Sequence, residues 1–370
     1  MPDEPPVPHH HRRTILRVIV VAELVIALVT SATVVFAYNR LNGNLETLPE
    51  ISHFVEEPSA DPEEPDTPIN VLVIGSDTRS GEGNGIDGEA GGGASDVTIL
   101  LHVSADRATT YGLSLARDAI VDRPDCEVDG ETVPGEDAAI FNEAFALGGP
   151  LCTVQQVEAI TGIYIDHTVV VDFNGFKDMV DAVHGVEVCI PKEVDDPAHG
   201  IHLDAGRQVL SGNDALNYVR ERHVLSPNSD IGRMKRQQAF VASMVKRVFS
   251  ANTLAMPTRL YRFLDAATKS IQLDEDLASL GKLVDLAQQF QGANLAKIKF
   301  VTVPIEAYPA DANRLQFAPE AKGLWKVIRE DQPLGRYSKG SITADDKVGD
   351  VDGDPTAPDA QERLANGLCA

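Results

Sequence analysis

The stretch from Tyr218 to Gln238 concentrates the residues best suited to chemistry. It reads Tyr-Val-Arg-Glu-Arg-His, then a Ser/Pro/Asn loop, then Asp-Ile-Gly-Arg-Met-Lys-Arg-Gln-Gln. Arg220, Arg222, Arg233, Lys235 and Arg236 crowd together in a chain whose formal net charge is −24. Arg220 and Arg222 are two apart and cannot share a helix face; they suit the frayed end of a helix beginning near Ser211. Arg233, Arg236 and Gln237 are three or four apart and do share one. Ser229 or Asp230 suits the N-cap of their helix. Arginines in the first turns oppose the helix dipole. A bound anion relieves that conflict, because free backbone N–H groups and guanidinium forks both hold phosphate. A solvated basic face paired with Glu221 and Asp230 accounts for the same spacing, and spacing alone does not choose.

Two carboxylates are the next candidates. Ile69 to Gly75 reads as a buried strand and leads into Ser76-Asp77-Thr78-Arg79. A glycine-rich loop follows, without the Gly-Lys-Ser/Thr of a P-loop. Ser95-Asp96 closes it, and Val97 to Val103 is the next strand. Asp77 and Asp96 thus stand at the two mouths of one loop. Such a pair suits Mg²⁺ (or Mn²⁺), which takes one or two carboxylates and leaves positions for phosphate oxygens. Two turn-capping aspartates are the plainer reading. A third strand, Thr109 to Leu115, ends in Ala116-Arg117-Asp118, either an ion pair or an arginine aimed into a site. Asp195, Asp196, His199 and His202 make a weaker metal candidate in a loop-like stretch. His167, lone and strand-borne, suits a core or surface role.

These residues need a scaffold. Helical segments (138–149, 153–161, 174–183) alternate with strands (167–173, 185–190), and helices then lead to a last strand near 297–303. The pattern predicts an α/β fold with a central mixed sheet flanked by helices on both faces, preceded by one transmembrane helix. Val18 to Ala37 carries one charge, Glu23, and at about 1.5 Å per residue is long enough for a bilayer core. Arg12, Arg13 and Arg17 precede it, so the positive-inside rule puts the N-terminus in the cytoplasm. The expected organisation is a cytoplasmic tail (1–14), a membrane helix (15–38), an acidic Pro-rich linker (39–68), an extracellular catalytic domain (69–335) and an acidic disordered tail (336–370). The strong negative charge argues against nucleic acid as a partner.

Eight motifs occur in one order: Asn70-x-Leu-x-x-Gly-Ser-Asp77-x-Arg79, Ser95-Asp96, Ser114-Leu-Ala-Arg117-Asp118, Asn142-x-Ala-x-x-x-Gly-Gly, Val171-Asp-Phe-x-Gly-Phe, Gly185-Val-Glu-Val, Leu210-x-Gly-x-x-Ala-Leu-x-Tyr-Val-Arg220-x-Arg222 and Asp230-x-Gly-Arg233-x-x-Arg236-Gln237. In this the chain resembles the LytR-CpsA-Psr family of cell-wall glycopolymer ligases, across about half its length. The resemblance implies a phosphotransferase that moves a glycopolymer from a polyprenyl-diphosphate lipid to peptidoglycan, with pyrophosphatase as a side activity. Arabinogalactan is the first polymer to consider, teichoic acid or capsule the second. A non-catalytic module for wall polymer or lipid diphosphate is the alternative.

By motif match, Asp77 and Asp96 hold the Mg²⁺; Arg117, Arg220 and Arg222 are catalytic; Arg79, Arg233, Arg236 and Gln237 bind phosphate. Ala116 stands where the family usually has proline. A prenyl chain needs an apolar tunnel, for which Phe141, Phe145, Phe176 and Phe240 are candidates and equally ordinary core. Cys126 and Cys152 flank the Asn142 helix and are expected to pair. In actinobacterial relatives a cysteine like Cys189 is expected to pair near the Leu203–Arg207 turn. Arg207 occupies that position here, so Cys189 is expected to be a free thiol.

Overall fold

The computed structural model describes residues 9–58, 67–76, 95–197, 200–222, 224–225, 230–250, 256–289, 294–351, 353–354, 356 and 359–370. They fall into two units, 1–44 and 45–370.

The first unit is helix α1 (His9–Asn42). The most apolar 18-residue window of its Thr14–Asn42 portion has a mean hydropathy of 2.5, and none of that window is buried. It is long and apolar enough to cross a membrane, where a helix satisfies its own backbone groups.

The second unit is built on an eight-stranded mixed sheet. In chain order its strands are β1 (Glu46–Thr47), β2 (Ile69–Ser76), β3 (Ser95–Val103), β4 (Thr110–Leu115), β5 (His167–Asp172), β6 (Ile271–Leu273), β7 (Ile298–Thr302) and β8 (Ile342–Thr343). Their spatial order is β1-β6-β5-β2-β3-β4-β7-β8. β2 runs parallel to β5 and antiparallel to β3, and β4 runs parallel to β7. The central strands are apolar on both sides because both faces are covered. One face carries α2 (Glu143–Thr161), whose Val154 and Val157 join Leu72, Ile74, Leu113, Phe141 and Trp325 in the main core. The other carries α3 (Phe173–Ala182), α4 (Gly212–Arg220) and α5 (Asp230–Val248), with α6 (Pro257–Ser270) and α7 (Leu280–Gln289) beyond.

The helix expected over 138–149 is instead a strand at Glu136–Ile140 followed by α2, which is interrupted at its glycines. Gly149 has φ 61° and ψ −150°, a region open essentially to glycine alone. Pro150 restarts the helix, as proline does where its missing N–H costs nothing.

Three expectations are corrected. Residues 45–58, read as extended linker, pack on the domain. β1 joins the sheet, Leu48 is buried, and the buried Glu158 carboxylate accepts from the N–H groups of Phe54 and Val55 and pairs with His53. Residues 336–370, read as disordered, contribute β8, helix α8 (Ala360–Ala365) and the buried Ile342, Leu368 and Cys369. Their acidic composition is accommodated because they lie along the basic α5, where Lys235 donates to the Gly340 carbonyl and Lys246 to the Asp345 carbonyl. Cys189, expected free, is bonded to Cys369. Arg207 does stand opposite Cys189 in the hairpin, but the partner comes from the far end of the chain. Cys126 and Cys152 are bonded to each other.

Candidate active site

Strand ends and a helix junction deliver the charged residues to one place. Asp96 lies at the start of β3 and Arg117 two residues beyond the end of β4, which pairs with it. Arg117 donates to Asp96 and, at 3.3 Å, to Asp118. Arg222 arrives from the far side, just past the end of α4, with its Nη2 3.6 Å from the same Asp96 oxygen, Oδ1. Arg233, in the first turn of α5, is buried and pairs with Asp230. Arg220 stands over the Phe173 ring at 4.9 Å, a cation–π arrangement.

Burial pulls the Arg233 pKa down to about 10; Asp230 opposes this, and Arg117 and Arg222 depress it further. Burial and then Arg117 likewise lower that of Arg222. The cluster thus holds guanidinium groups that disfavour one another. The Arg233 Nε and the Asp230 Oδ2 are buried without a hydrogen-bond partner among the described residues. Buried polar atoms left unpaired in a native fold call for a bound group, and an anion satisfies the guanidinium part.

Asp96 uses one oxygen for both arginines, which leaves Oδ2 as a hard donor. The adjacent Ser95 hydroxyl is buried and unpaired among the described residues. Carboxylate and hydroxyl oxygens are what Mg²⁺ or Mn²⁺ accepts, so the described part of the donor set fits a hard divalent cation. Asp77 and Arg79 lie outside the described residues.

Arg236 and Gln237 are not brought into this cluster. Arg236 is wholly enclosed, pairs with the buried Glu221 and donates to its backbone carbonyl. Gln237 donates to the Val219 carbonyl at 3.2 Å. Together they cap the end of α4 and brace the loop that carries Arg222. Glu221 completes the brace by accepting from the N–H groups of Val224 and Leu225. Sequence reasoning missed Glu221 in that role; its one signal was an acidic residue between two arginines. Among the described residues the weaker metal candidates form no group of three or more ligands, and His167, read as a core or surface residue, stands apart from them. Asp195 and His202 are exposed hairpin partners, His167 pairs with Asp274, and His199 lies outside the described residues.

Beside the arginines opens an apolar cavity of about 530 Å³. Val97, Phe173, Val219 and Gln237 line its charged end, and Phe176, Phe240, Met244, Leu283 and Phe300 the remainder. Val97 and Val219 neighbour Asp96 and Arg220 in sequence, and Phe173 carries Arg220. Phe141 and Phe145 belong to the core on the opposite face of the sheet.

A family model described as the LytR_cpsA_psr family matches residues 34–329. The "Cell wall biosynthesis protein LcpA" of Corynebacterium glutamicum is 30% identical over 343 residues, covering 82% of this chain and 64% of that protein. The "Polyisoprenyl-teichoic acid--peptidoglycan teichoic acid transferase TagU" of Enterococcus faecalis is 31% identical over 217 residues, covering 58% of this chain and 64% of that one. The chain therefore spans somewhat less than two thirds of the length of these relatives. Among solved structures, a "LytR-Csp2A-Psr enzyme from Actinomyces oris" has a TM-score of 0.55 at 21% identity, covering 80% of this chain and 98% of that chain. A structure of "TagT bound to LI-WTA" has a TM-score of 0.55 at 22% identity, covering 78% and 99%. At these identities the two structures speak for the fold.

Proposed function

The chain belongs to the LytR-CpsA-Psr family, and from that premise we propose that it transfers a glycopolymer from a polyprenyl-diphosphate lipid to peptidoglycan. The observation that carries this reading is an apolar cavity lined by Phe173, over whose ring Arg220 stands, and by Val97, next in sequence to the Asp96 on which Arg117 and Arg222 converge. A cavity of this size is in the range of small-molecule sites. Its lining suits a hydrocarbon chain, and the arginines suit the diphosphate at the head of such a chain.

The chemistry follows. An acceptor hydroxyl oxygen forms a bond to the phosphorus that carries the sugar. The bond from that phosphorus to the bridging oxygen breaks, polyprenyl phosphate leaves with the electron pair, and the hydroxyl proton passes to solvent. Negative charge grows on the departing phosphate, so donors already fixed there lower the barrier. Arg117 is fixed by Asp96 and Asp118, and Arg222 by Asp96. Arg220 approaches across Phe173. Arg233, deeper in, suits the phosphate that is not attacked. Asp96, with Asp77, would hold the divalent cation. When bound, that ion supplies charge neutralisation at the diphosphate oxygens. Water in place of the acceptor gives the pyrophosphatase side reaction. We take arabinogalactan as the first polymer to test, from the similarity to the Corynebacterium protein, with teichoic acid second.

The test offers the full-length protein a synthetic polyprenyl-diphosphate saccharide and a peptidoglycan acceptor, with Mg²⁺ and then with chelator. Expected are a phosphodiester-linked product and free polyprenyl phosphate, both lost with chelator. Tight donor binding with no product from any acceptor would favour the non-catalytic module.

A further inference from the structure

β2 and β5 expose alternate residues to opposite faces of the sheet. Val73, Gly75 and Val171 line the apolar cavity, while Ser76 and Val170 line a second cavity of about 520 Å³ on the other side. Asp172, at the end of β5, lines both. The two spaces therefore meet at the strand ends where the arginines and Asp96 gather. The second cavity has a different character. Glu46, Asp172, Lys269 and Gln272 bring polar groups to it, and Ala146, Pro150 and Ile271 supply small apolar surfaces. One wall is the interruption of α2 at Gly149 and Pro150, a break that the helix makes at the cost of a glycine-only backbone state.

We propose that this polar groove is the acceptor subsite, and that it takes an uncharged polyhydroxylated saccharide chain; the proposal rests on the transferase reading above. Three observations favour that occupant. Two carboxylates, Glu46 and Asp172, stand against one ammonium, Lys269, which is itself paired with Asp265, so an anionic chain is disfavoured. Gln272 donates to Glu46 at 3.1 Å, which leaves its amide oxygen and the second Glu46 oxygen for hydroxyl groups. The position also suits the reaction. In-line displacement needs the incoming oxygen opposite the leaving one. A donor lying on one face of β2 and β5 leaves the other face for the acceptor.

Two variants with side chains at the surface test this. Ala146→Trp fills the groove, and Gln272→Ala removes one amide. Ala146 and Gln272 are exposed, so both changes avoid the core. Steady-state transfer from the synthetic lipid donor to defined peptidoglycan glycan chains, stripped of peptide and amidated at the lactyl carboxyls so that they carry no charge, reads the effect. Expected is a rise in acceptor KM of about fivefold for Gln272→Ala, the scale of one hydrogen bond, and of roughly tenfold or more for Ala146→Trp. Donor KM should change less than acceptor KM in each. Unaltered acceptor KM in both variants overturns the proposal, as does a donor KM that rises in step with it. Free stem peptide competing as well as the stripped glycan overturns the saccharide assignment. No turnover of donor by the wild type, with or without acceptor, instead counts against the transferase reading itself.

Discussion

At the scale of single residues, the arginines divide by what encloses them. Arg117 and Arg222 meet a shared carboxylate at a strand end and are in part open, whereas Arg236 and Glu221 are shut away together. Arg117→Ala should therefore lower turnover by about a hundredfold, the scale of one lost electrostatic contact in a transition state, with little change in unfolding midpoint. Arg236→Ala should do the opposite. It strands the Glu221 charge, and breaking a buried pair from one side costs about 3–5 kcal/mol. Urea unfolding beside steady-state kinetics separates the two; equal stability losses would erase the distinction. A different ionisation governs the stem. The hydrogen bond that the Glu158 carboxylate accepts from His53, with the Glu158 charge beside it, outweighs burial and raises the His53 pKa above its ordinary 6.5. A raised folded pKa contributes stability that is fully present below the unfolded value and lost as pH rises through the folded one. The stability gap between wild type and His53→Gln should accordingly shrink as pH climbs past 6.5. A constant gap would exclude protonated His53 as the anchor.

At the scale of elements, the junction of α4 and α5 is what makes a site out of scattered cations. α4 ends at Arg220, and the residues beyond it have no helical partner for their backbone. Arg236, Gln237 and Glu221 supply those partners and so hold the turn that carries Arg222. The last residues of the chain cover this brace, and the Cys189–Cys369 bond keeps them there. With a sequence separation of 180 it closes a far longer loop than Cys126–Cys152, at 26. In the chain-entropy account the first contributes about 5 kcal/mol and the second about 3. Cys369→Ser should lower unfolding stability by roughly that larger amount, and reductant should lower the wild type further still, because it also opens Cys126–Cys152. Equal urea midpoints for Cys369→Ser and wild type would show that the tail is held by its other contacts.

At the scale of the whole molecule, a 29-residue apolar helix precedes a domain whose stem is docked by Glu158. Arg12, Arg13 and Arg17 lie before its long apolar run, and residues 43–68 carry acidic residues but no lysine or arginine. We expect the domain outside the cell, where its two disulfides persist. Protease added to intact cells should degrade the chain beyond residue 40 and spare an epitope placed before Arg12. A protected full-length domain would reverse the orientation. An outward domain is also what a polymer acceptor in the wall requires.

Much of this was legible in one dimension. Strand and helix order follow from hydrophobic period, the helix end at Arg220 from its neighbours, and the site arginines from an ordered series of motifs. Apolar length alone marks α1. What the sequence could not determine is which residues are enclosed. Arg233 and Arg236 share a helix face and looked equivalent, yet one faces the cluster and the other the Glu221 carboxylate, because the α4–α5 crossing decides which side of α5 meets the turn. Phe145 and Phe240 are both aromatic helix residues, yet they pack in different core clusters and line different cavities, Phe240 the apolar one and Phe145 the second. The tail misled by its average composition, since a few apolar side chains, two lysine contacts on α5 and one disulfide suffice to order it. Periodicity is local and can be read along the chain. Enclosure is a property of surfaces brought together from distant parts of it, and only the tertiary structure assigns those.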